Sequence, residues 1–211
     1  MKQPIVEKGI VVGTGSDKFV QRNPIVQWAI REFDRAIVEL VSLVEPLRIL
    51  EVGCGEGHVT NLLLASTQAK IAAFDISQRI LVLARQSVIS ERVEFGIKNI
   101  LDLDPVRDRA PLVVCCEVLE HLECPEAGLR RLAGVADPYA LLSVPREPLF
   151  RILNLLRGAH VHSFGNSPGH LQHWSADAFL RFVKRNFQII AIRTPLPWTL
   201  VLARIYPSVT D

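Results

Sequence analysis

The chain reads LRILEVGCGEGHVTNLLLAS over residues 47–66. Its first six residues form a short, mostly apolar run, which is typical of a buried strand. Three glycines follow, Gly53, Gly55 and Gly57, and they allow a sharp turn and the close approach of a ligand to the backbone. From His58 the pattern predicts a helix, whose first turn presents N–H groups. Nucleotide-like ligands bind at such strand–turn–helix junctions.

This alternation of strands and helices continues along the chain. Apolar runs predict strands, and residues with helical spacing predict helices between them: strands at 71–75, 92–95, 112–118 and 139–145, helices at 78–89 and 125–135. Nearly continuous apolar strands separated by helices imply a parallel sheet that is covered on both faces. The predicted fold class is therefore three-layer α/β.

Outside this region the pattern predicts a helix at the N-terminal side and two strands at the end. Helical spacing follows Asn23-Pro24, and a second helix follows Ser175. Apolar runs at 187–194 and 198–206 predict final strands that pair antiparallel. We expect one domain over residues 1–211 with four parts: an N-terminal helix (20–45), a core (47–145), an insertion (146–185) and a final strand pair (187–206).

Composition excludes several classes of protein. The 211 residues are 49% hydrophobic, as in a globular chain, and the formal net charge of +2 leaves no strongly basic surface, so nucleic-acid binding is not expected. The four cysteines fit neither a disulfide framework nor a zinc ribbon. No signal-peptide pattern opens the chain and no apolar run reaches spanning length. We therefore expect a cytoplasmic protein.

Two acidic residues accompany the glycine turn. Glu51 ends the first predicted strand and Asp75 ends the second. A dinucleotide-binding fingerprint needs glycine where His58 stands, which weakens an NAD-dependent oxidoreductase but leaves it as an alternative. Over 47–145 the order of motifs resembles the class I S-adenosylmethionine-dependent methyltransferases. That resemblance implies a Rossmann-like fold with a seven-stranded, mostly parallel sheet, an antiparallel last strand, and S-adenosylmethionine as cofactor.

The same resemblance implies the residues that bind the cofactor. The glycine turn would line the methionine part beside Glu51, Asp75 would take the ribose hydroxyls, and two isoleucines would enclose the adenine. Asn99 stands where the family usually has an acidic residue, and Asp102 is the alternative for that role. The implied cofactor-binding set is Glu51, Gly53, Cys54, Gly55, Gly57, Asp75, Ile76, Asn99, Ile100, Glu117 and Val118.

Histidines are the candidates for proton removal from an acceptor. Methyl transfer needs a positioned nucleophile, and a histidine is a suitable base when that nucleophile is oxygen. Four of the six histidines lie within 160–173. His170 is the favoured base and His121 the second, although His121 would equally serve to pack under its loop. Cys115 and Cys116 lie on a predicted buried strand and are expected in the core.

The segment 145–158 bears on the acceptor, because it interleaves leucine, isoleucine and phenylalanine with arginine. It fits a lid over a hydrophobic acceptor, an interfacial helix on an anionic membrane, or an ordinary core-facing helix. It occupies the place of the acceptor-recognising insertion in the similar ubiquinone-biosynthesis O-methyltransferases, and the chain also resembles bacterial envelope and glycan methyltransferases. We expect O-methylation of a small-molecule or lipid- or glycan-linked acceptor, with peripheral contact at the inner membrane face through 146–158.

Two further alternatives stay open. Glu117, Glu120 and His121 form an E-x-x-E-H pattern that, with a distant histidine, resembles the metal ligands of small-RNA 2′-O-methyltransferases. Related metal-free enzymes carry the same pattern, so no metal is expected. A partner protein that keeps the cofactor fold without catalysis is the other alternative.

Overall fold

A computed structural model of the protein describes residues 23–156 and 169–207, and the backbone alone of 5–7 and 10–12. The two short segments are strands β1, Ile5–Glu7, and β2, Ile10–Val12, which pair antiparallel. No element is predicted there from the sequence, because runs of three residues lie below the length at which a pattern can be recognised.

Seven strands form the main sheet, with bounds close to the predicted ones: β3 Arg48–Val52, β4 Lys70–Asp75, β5 Val93–Ile97, β6 Ala110–Cys116, β7 Ala136–Pro145, β8 Phe187–Arg193 and β9 Trp198–Ile205. Their order is β5-β4-β3-β6-β7-β9-β8. Neighbours pair parallel except around β9, which is antiparallel to both β7 and β8. The mostly parallel sheet with an antiparallel last strand is confirmed.

Helix α1, Pro24–Ser42, begins where the helical spacing starts after Asn23-Pro24, within the expected segment 20–45. The side chain of Asn23 accepts a hydrogen bond from the N–H of Ile25 at 2.9 Å, and Pro24 suits the first helical turn. The helix ends before the predicted limit of residue 45, because Glu45 adopts φ +47° and turns the chain toward β3.

Five more helices complete the layers: α2 His58–Ser66, α3 Gln78–Ser87, α4 Pro125–Val135, α5 Leu149–Leu156 and α6 Ala176–Val183. Alternate residues of β6 face two separate cores, as a sheet covered on both sides requires. Leu112 packs with Ile37 and Leu63 of α1 and α2, while Val113 packs with Leu129 and Phe179 of α4 and α6. The three-layer α/β class is confirmed. Among the described helices, none has both the length and the apolar character to span a bilayer.

Strand β7 begins three residues before the predicted start at 139. Its pairing with β6 shifts register between Ala110 and Leu112, opposite Asp137-Pro138. Pro138 has no N–H to donate, so it fits at an irregularity in the ladder. Pro138 therefore lies inside the strand.

Candidate active site

The glycine turn joins β3 to α2 at the carboxyl edge of the parallel strands. Gly53, Gly55 and Gly57 all have positive φ, at +79°, +55° and +88°. The N–H groups of Gly53 and Cys54 donate to the carbonyl of Phe74, at 2.7 and 3.0 Å, which ties the turn to β4. Carboxyl edges of parallel strands are where ligands bind in such sheets.

The three glycines have different surroundings. A Cβ on Gly53 would collide with Val118 Cγ2, and one on Gly57 would lie 2.6 Å from Val88 Cγ2. A Cβ on Gly55 would meet no heavy atom of the described residues within 4 Å. Gly53 and Gly57 therefore serve close packing inside the protein, whereas Gly55 borders open space that a ligand can fill.

Asp75 lies beside this open turn. Its carboxylate accepts hydrogen bonds from the N–H of Gly55 at 3.0 Å through Oδ2, and from the N–H of Ser77 at 2.9 Å through Oδ1. The residue is buried, and Ser77 in turn caps α3 by accepting from the N–H of Ile80. The carboxylate is thus fixed in orientation, and carboxylate oxygens are suitable acceptors for the hydroxyls of a ribose.

Glu51 provides a second carboxyl group below the turn. It is buried, and its Oε2 accepts a hydrogen bond from Thr60 Oγ1 at 2.7 Å. The pKa of Glu51 is raised to about 7, chiefly by burial and in smaller part by the negative charge of Asp75, against the opposite effect of the hydrogen bond from Thr60. A cationic group in the open space would favour the ionised form of this carboxyl. The carboxyl groups of Glu51 and Asp75 therefore suit a ligand that carries both an ammonium group and ribose hydroxyls.

The residues expected to hold an adenine lie at two depths. Ile76 is 39% exposed next to Asp75, whereas Ile100 is 5% exposed and packs in the core near Gly128. The side chain of Asn99 accepts from the N–H of Leu101 at 2.9 Å and caps a short 3-10 helix. Ile76 is thus an exposed apolar side chain at this edge, and the adenine contacts of the set remain predictions.

Glu117 follows β6 in a left-handed conformation, with φ +59°. Its Oε2 accepts from the indole N–H of Trp198 at 2.7 Å, and its Oε1 accepts from Ser143 Oγ at 3.1 Å. The neighbouring Val118 packs on Gly53. The predicted contact of Glu117 and Val118 with the cofactor remains a prediction. Sequence reasoning missed Trp198 and Ser143, because they lie 81 and 26 residues from Glu117.

His121 and His170 come together after β6. Their ring centroids are 5.0 Å apart, and Phe150 of α5 stacks on His170 at 5.4 Å. His121 Nδ1 lies 2.8 Å from the carbonyl oxygen of Gly169. A carbonyl only accepts, so Nδ1 carries the proton and Nε2 of neutral His121 carries the lone pair. That tautomer suits Nε2 for accepting a proton or binding a metal.

A carboxylate joins the two histidines. One ligand atom each from Glu120, His121 and His170 lies within 4.8 Å of the others. The backbone carbonyl of Glu120 accepts from the N–H groups of Leu171 and Gln172, at 2.8 and 3.0 Å, which holds the segment after His170 in place. Glu117, the other acid of the E-x-x-E-H pattern, is bonded to Trp198 instead. These ligand types suit a divalent cation.

The cysteines of β6 and His58 make contacts inside the fold. Burial raises the pKa of the Cys115 and Cys116 thiols above the ordinary range, as expected for core cysteines. His58 Nε2 lies 2.7 Å from Asp34 Oδ1, so it links the start of α2 to α1. His58 stands at the position where a dinucleotide-binding fingerprint needs glycine. Nothing is described for His160 and His162, which lie outside the described residues.

Comparisons with known proteins agree with this geometry. The sequence model of a methyltransferase-domain family matches residues 50–142. The ubiquinone biosynthesis O-methyltransferase of Alkalilimnicola ehrlichii is 28% identical over 166 residues, which cover 70% of this chain and 67% of that protein. Among the curated relatives, the matched part spans from 24% to 67% of the relative's own length.

Solved structures show the same fold. Magnesium protoporphyrin IX methyltransferase from Synechocystis PCC 6803, with bound SAH, superposes with a TM-score of 0.67 at 18% identity, covering 90% of this chain and 94% of that one. The methyltransferase domain of bacterial CtHen1-CN gives 0.64 at 21% identity, covering 84% of this chain and 100% of that one. The matching methyltransferase-domain model, the similar ubiquinone biosynthesis O-methyltransferases and the fold shared with solved methyltransferases support a class I S-adenosylmethionine-dependent methyltransferase.

Proposed function

We propose that the chain methylates a small-molecule acceptor, at an oxygen atom. The observation that carries this proposal is the open space at Gly55, whose N–H donates to the buried carboxylate of Asp75, in a turn that directly follows the strand of the buried Glu51. S-adenosylmethionine, when bound, supplies a methyl group on a positively charged sulfur. Bound in that space, the donor would meet hydrogen-bond acceptors for both its polar ends.

Each donor-binding residue has a distinct role in this proposal. Asp75 accepts hydrogen bonds from the ribose hydroxyls, and Glu51 attracts the ammonium group through its buried carboxylate. The backbone at Gly55 admits the donor because no side chain fills the space. Ile76 offers an apolar surface to the adenine. These contacts hold the donor and exclude water from it.

The acceptor proton goes to a histidine. Nε2 of His121 takes it, because the carbonyl of Gly169 holds the proton on Nδ1. His170, the base that the sequence favours, packs against His121 and is the alternative. Removal of the proton would make the acceptor oxygen a stronger nucleophile toward the methyl carbon of the donor. General bases of this kind contribute roughly 10²- to 10⁴-fold to the rate.

Apolar side chains near the histidines support an acceptor with an apolar body. Phe150 of α5 stacks on His170, and Ile152 and Leu155 on the same helix are 48% and 40% exposed. Leu171, next to His170, is 53% exposed. We infer that α5 belongs to a lid over the acceptor, within the predicted insertion 146–185. A lipid-linked or glycan-linked acceptor and contact with a membrane surface are finer forms of this proposal.

Calorimetry with S-adenosylhomocysteine tests the donor site. The unchanged protein is expected to bind it, and Asp75→Asn is expected to weaken binding by roughly tenfold or more, because the amide is a poorer acceptor than a carboxylate. Asp137→Asn is the matched control, since Asp137 pairs with Arg109 near the start of β7, at the other end of the strands. Equal binding by all three proteins would overturn the assignment of Asp75.

Turnover separates an enzyme from a partner protein that only binds the cofactor. Incubation with methyl-labelled S-adenosylmethionine and a panel of phenols, lipids and glycans is expected to label one of these classes. His170→Ala and His121→Asn are expected to lower turnover by roughly 10²-fold or more while they keep the affinity for S-adenosylhomocysteine. Cofactor binding without labelling in the whole panel would favour the non-catalytic alternative.

A metal-assisted RNA 2′-O-methyltransferase is the second candidate function. The cluster of Glu120, His121 and His170 favours it, and the domain of bacterial CtHen1-CN shares the fold. The bond from Trp198 to Glu117 weighs against it, because it engages one acid of the pattern. Titration with Mn²⁺ alone decides between them: binding that Glu120→Gln abolishes supports a metal site, and no binding supports the metal-independent reaction.

A further inference from the structure

The backbone at Glu117 adopts a conformation that non-glycine residues rarely take. Among the described residues, Glu117 and Glu45 are the non-glycine residues with positive φ. Glu45 lies in the connection that follows α1, whereas Glu117 lies directly after β6, beside the glycine turn. Backbone strain of this kind persists where surrounding contacts impose it, and it is concentrated at functional sites.

Hydrogen bonds from two other strands impose this conformation. The indole N–H of Trp198, at the start of β9, donates to Glu117 Oε2 at 2.7 Å. The hydroxyl of Ser143 on β7 donates to Oε1 at 3.1 Å, and the N–H of Glu117 donates to the carbonyl of Ser143 at 3.1 Å. Trp198 is 6% exposed and lies 4.8 Å from Phe33 of α1, centroid to centroid. Its donor group is therefore held in place by packing.

The conformation of Glu117 decides where the next side chain lies. Val118 Cγ2 occupies the place that a Cβ on Gly53 would need. Val118 thus closes directly on the first glycine of the turn. A change in φ at Glu117 would move Val118 and release one side of the turn.

We propose that Trp198 is a positioning residue for the donor site, which acts through Glu117 and Val118 to hold the glycine turn in its binding conformation. This proposal rests on the proposed function, because it assumes that the donor binds at this turn. The indole N–H of Trp198, on β9, would thus affect the affinity for a ligand that binds at the turn after β3.

The test is a double-mutant cycle with S-adenosylhomocysteine as the probe. Trp198→Phe keeps a ring against Phe33 and removes only the N–H. It is expected to weaken binding by roughly tenfold, because hydrogen bonds to charged groups are worth more than neutral ones. Glu117→Gly removes the carboxylate and lets the backbone keep positive φ without strain. Adding Trp198→Phe to Glu117→Gly is expected to change the affinity less than twofold.

Controls separate positioning from general packing. Trp174→Phe makes the same substitution at an indole that packs on Phe179 and Phe182, and it is expected to leave the affinity unchanged. Circular dichroism checks that each variant is folded.

Three outcomes overturn the proposal: unchanged binding by Trp198→Phe; an equal loss from Trp198→Phe in both backgrounds, which means that Trp198 does not act through Glu117; or an equal loss from Trp174→Phe. No binding by the unchanged protein overturns the proposed function itself, and this proposal with it.

Discussion

Two carboxyl groups beside one turn differ because their partners differ. Asp75 accepts hydrogen bonds from the N–H groups of Gly55 and Ser77. Glu51 is buried and accepts from the hydroxyl of Thr60, and burial raises its pKa to about 7. Glu51 therefore gains most from a cationic ligand, because such a ligand offsets the cost of ionising it.

Glu51 predicts a pH-dependent stability. Its pKa rises from 4.5 to about 7 on folding, so the folded protein holds a proton that the unfolded chain has released. Stability is then highest below the unfolded pKa, and falls by on the order of 3 kcal/mol as pH rises through the folded value. Glu51→Gln does not ionise and can still accept from Thr60. Urea unfolding is expected to show that the free energy of unfolding of Glu51→Gln, relative to that of the unchanged protein, is higher at about pH 8 than at about pH 4.5. A difference that is constant with pH would contradict this.

His121 predicts a particular tautomer. Because its Nδ1 lies 2.8 Å from the carbonyl oxygen of Gly169, the neutral ring is expected to carry its proton on Nδ1. Nitrogen-15 NMR of the imidazoles at neutral pH distinguishes the two ring nitrogens, and His121→Gln assigns the signal. A proton found on Nε2 would remove His121 as the base, since Nε2 is the nitrogen that must accept.

At the scale of elements, the C-terminal end of α3 supports the glycine turn. Ser87 Oγ donates to the carbonyl of Glu56 at 2.6 Å, and Asn61 Nδ2 donates to the carbonyl of Ser87 at 3.1 Å. Val88 lies where a Cβ on Gly57 would be. Gly57 is therefore required for the packing of α2 against α3. From the sequence pattern alone, this glycine is attributed to ligand binding.

Gly57→Ala is expected to destabilise the protein by about 1–3 kcal/mol, from the strain of positive φ and from overpacking on Val88. Gly134→Ala is the matched control, because Gly134 lies in α4 and a Cβ there meets nothing within 4 Å among the described residues. A helical glycine replaced by alanine should stabilise by about 0.5–1 kcal/mol. Urea unfolding measures both, and equal effects of the two substitutions would contradict this role of Gly57.

At the scale of the whole molecule, the sheet order gathers the site at one edge. The glycine turn, Asp75 and Glu117 each follow or end a neighbouring parallel strand, β3, β4 or β6, so their approach follows from the topology. The apolar runs, together with the acidic residues Glu51 on β3 and Asp75 on β4, are enough to predict this part of the site from the sequence. His170 and His121, the two alternative bases that the sequence offers, have ring centroids 5.0 Å apart.

The rest depends on contacts that no local pattern encodes. Trp198 begins the last predicted strand, 198–206, and its bond to Glu117 spans 81 positions. The burial of Ile100 against Gly128 depends on how α4 packs. The separate tasks of Gly53, Gly55 and Gly57 depend on which neighbour each one faces. Sequence patterns specify elements, whereas these contacts arise only when the elements pack together.

The most direct test of the central claim is a crystal structure with S-adenosylhomocysteine bound. The ribose hydroxyls are expected on the carboxylate of Asp75, the amino group near Glu51, and the backbone of Gly55 in contact with the ligand. A nucleoside bound elsewhere, or an Asp75 that makes no contact with it, would contradict the account.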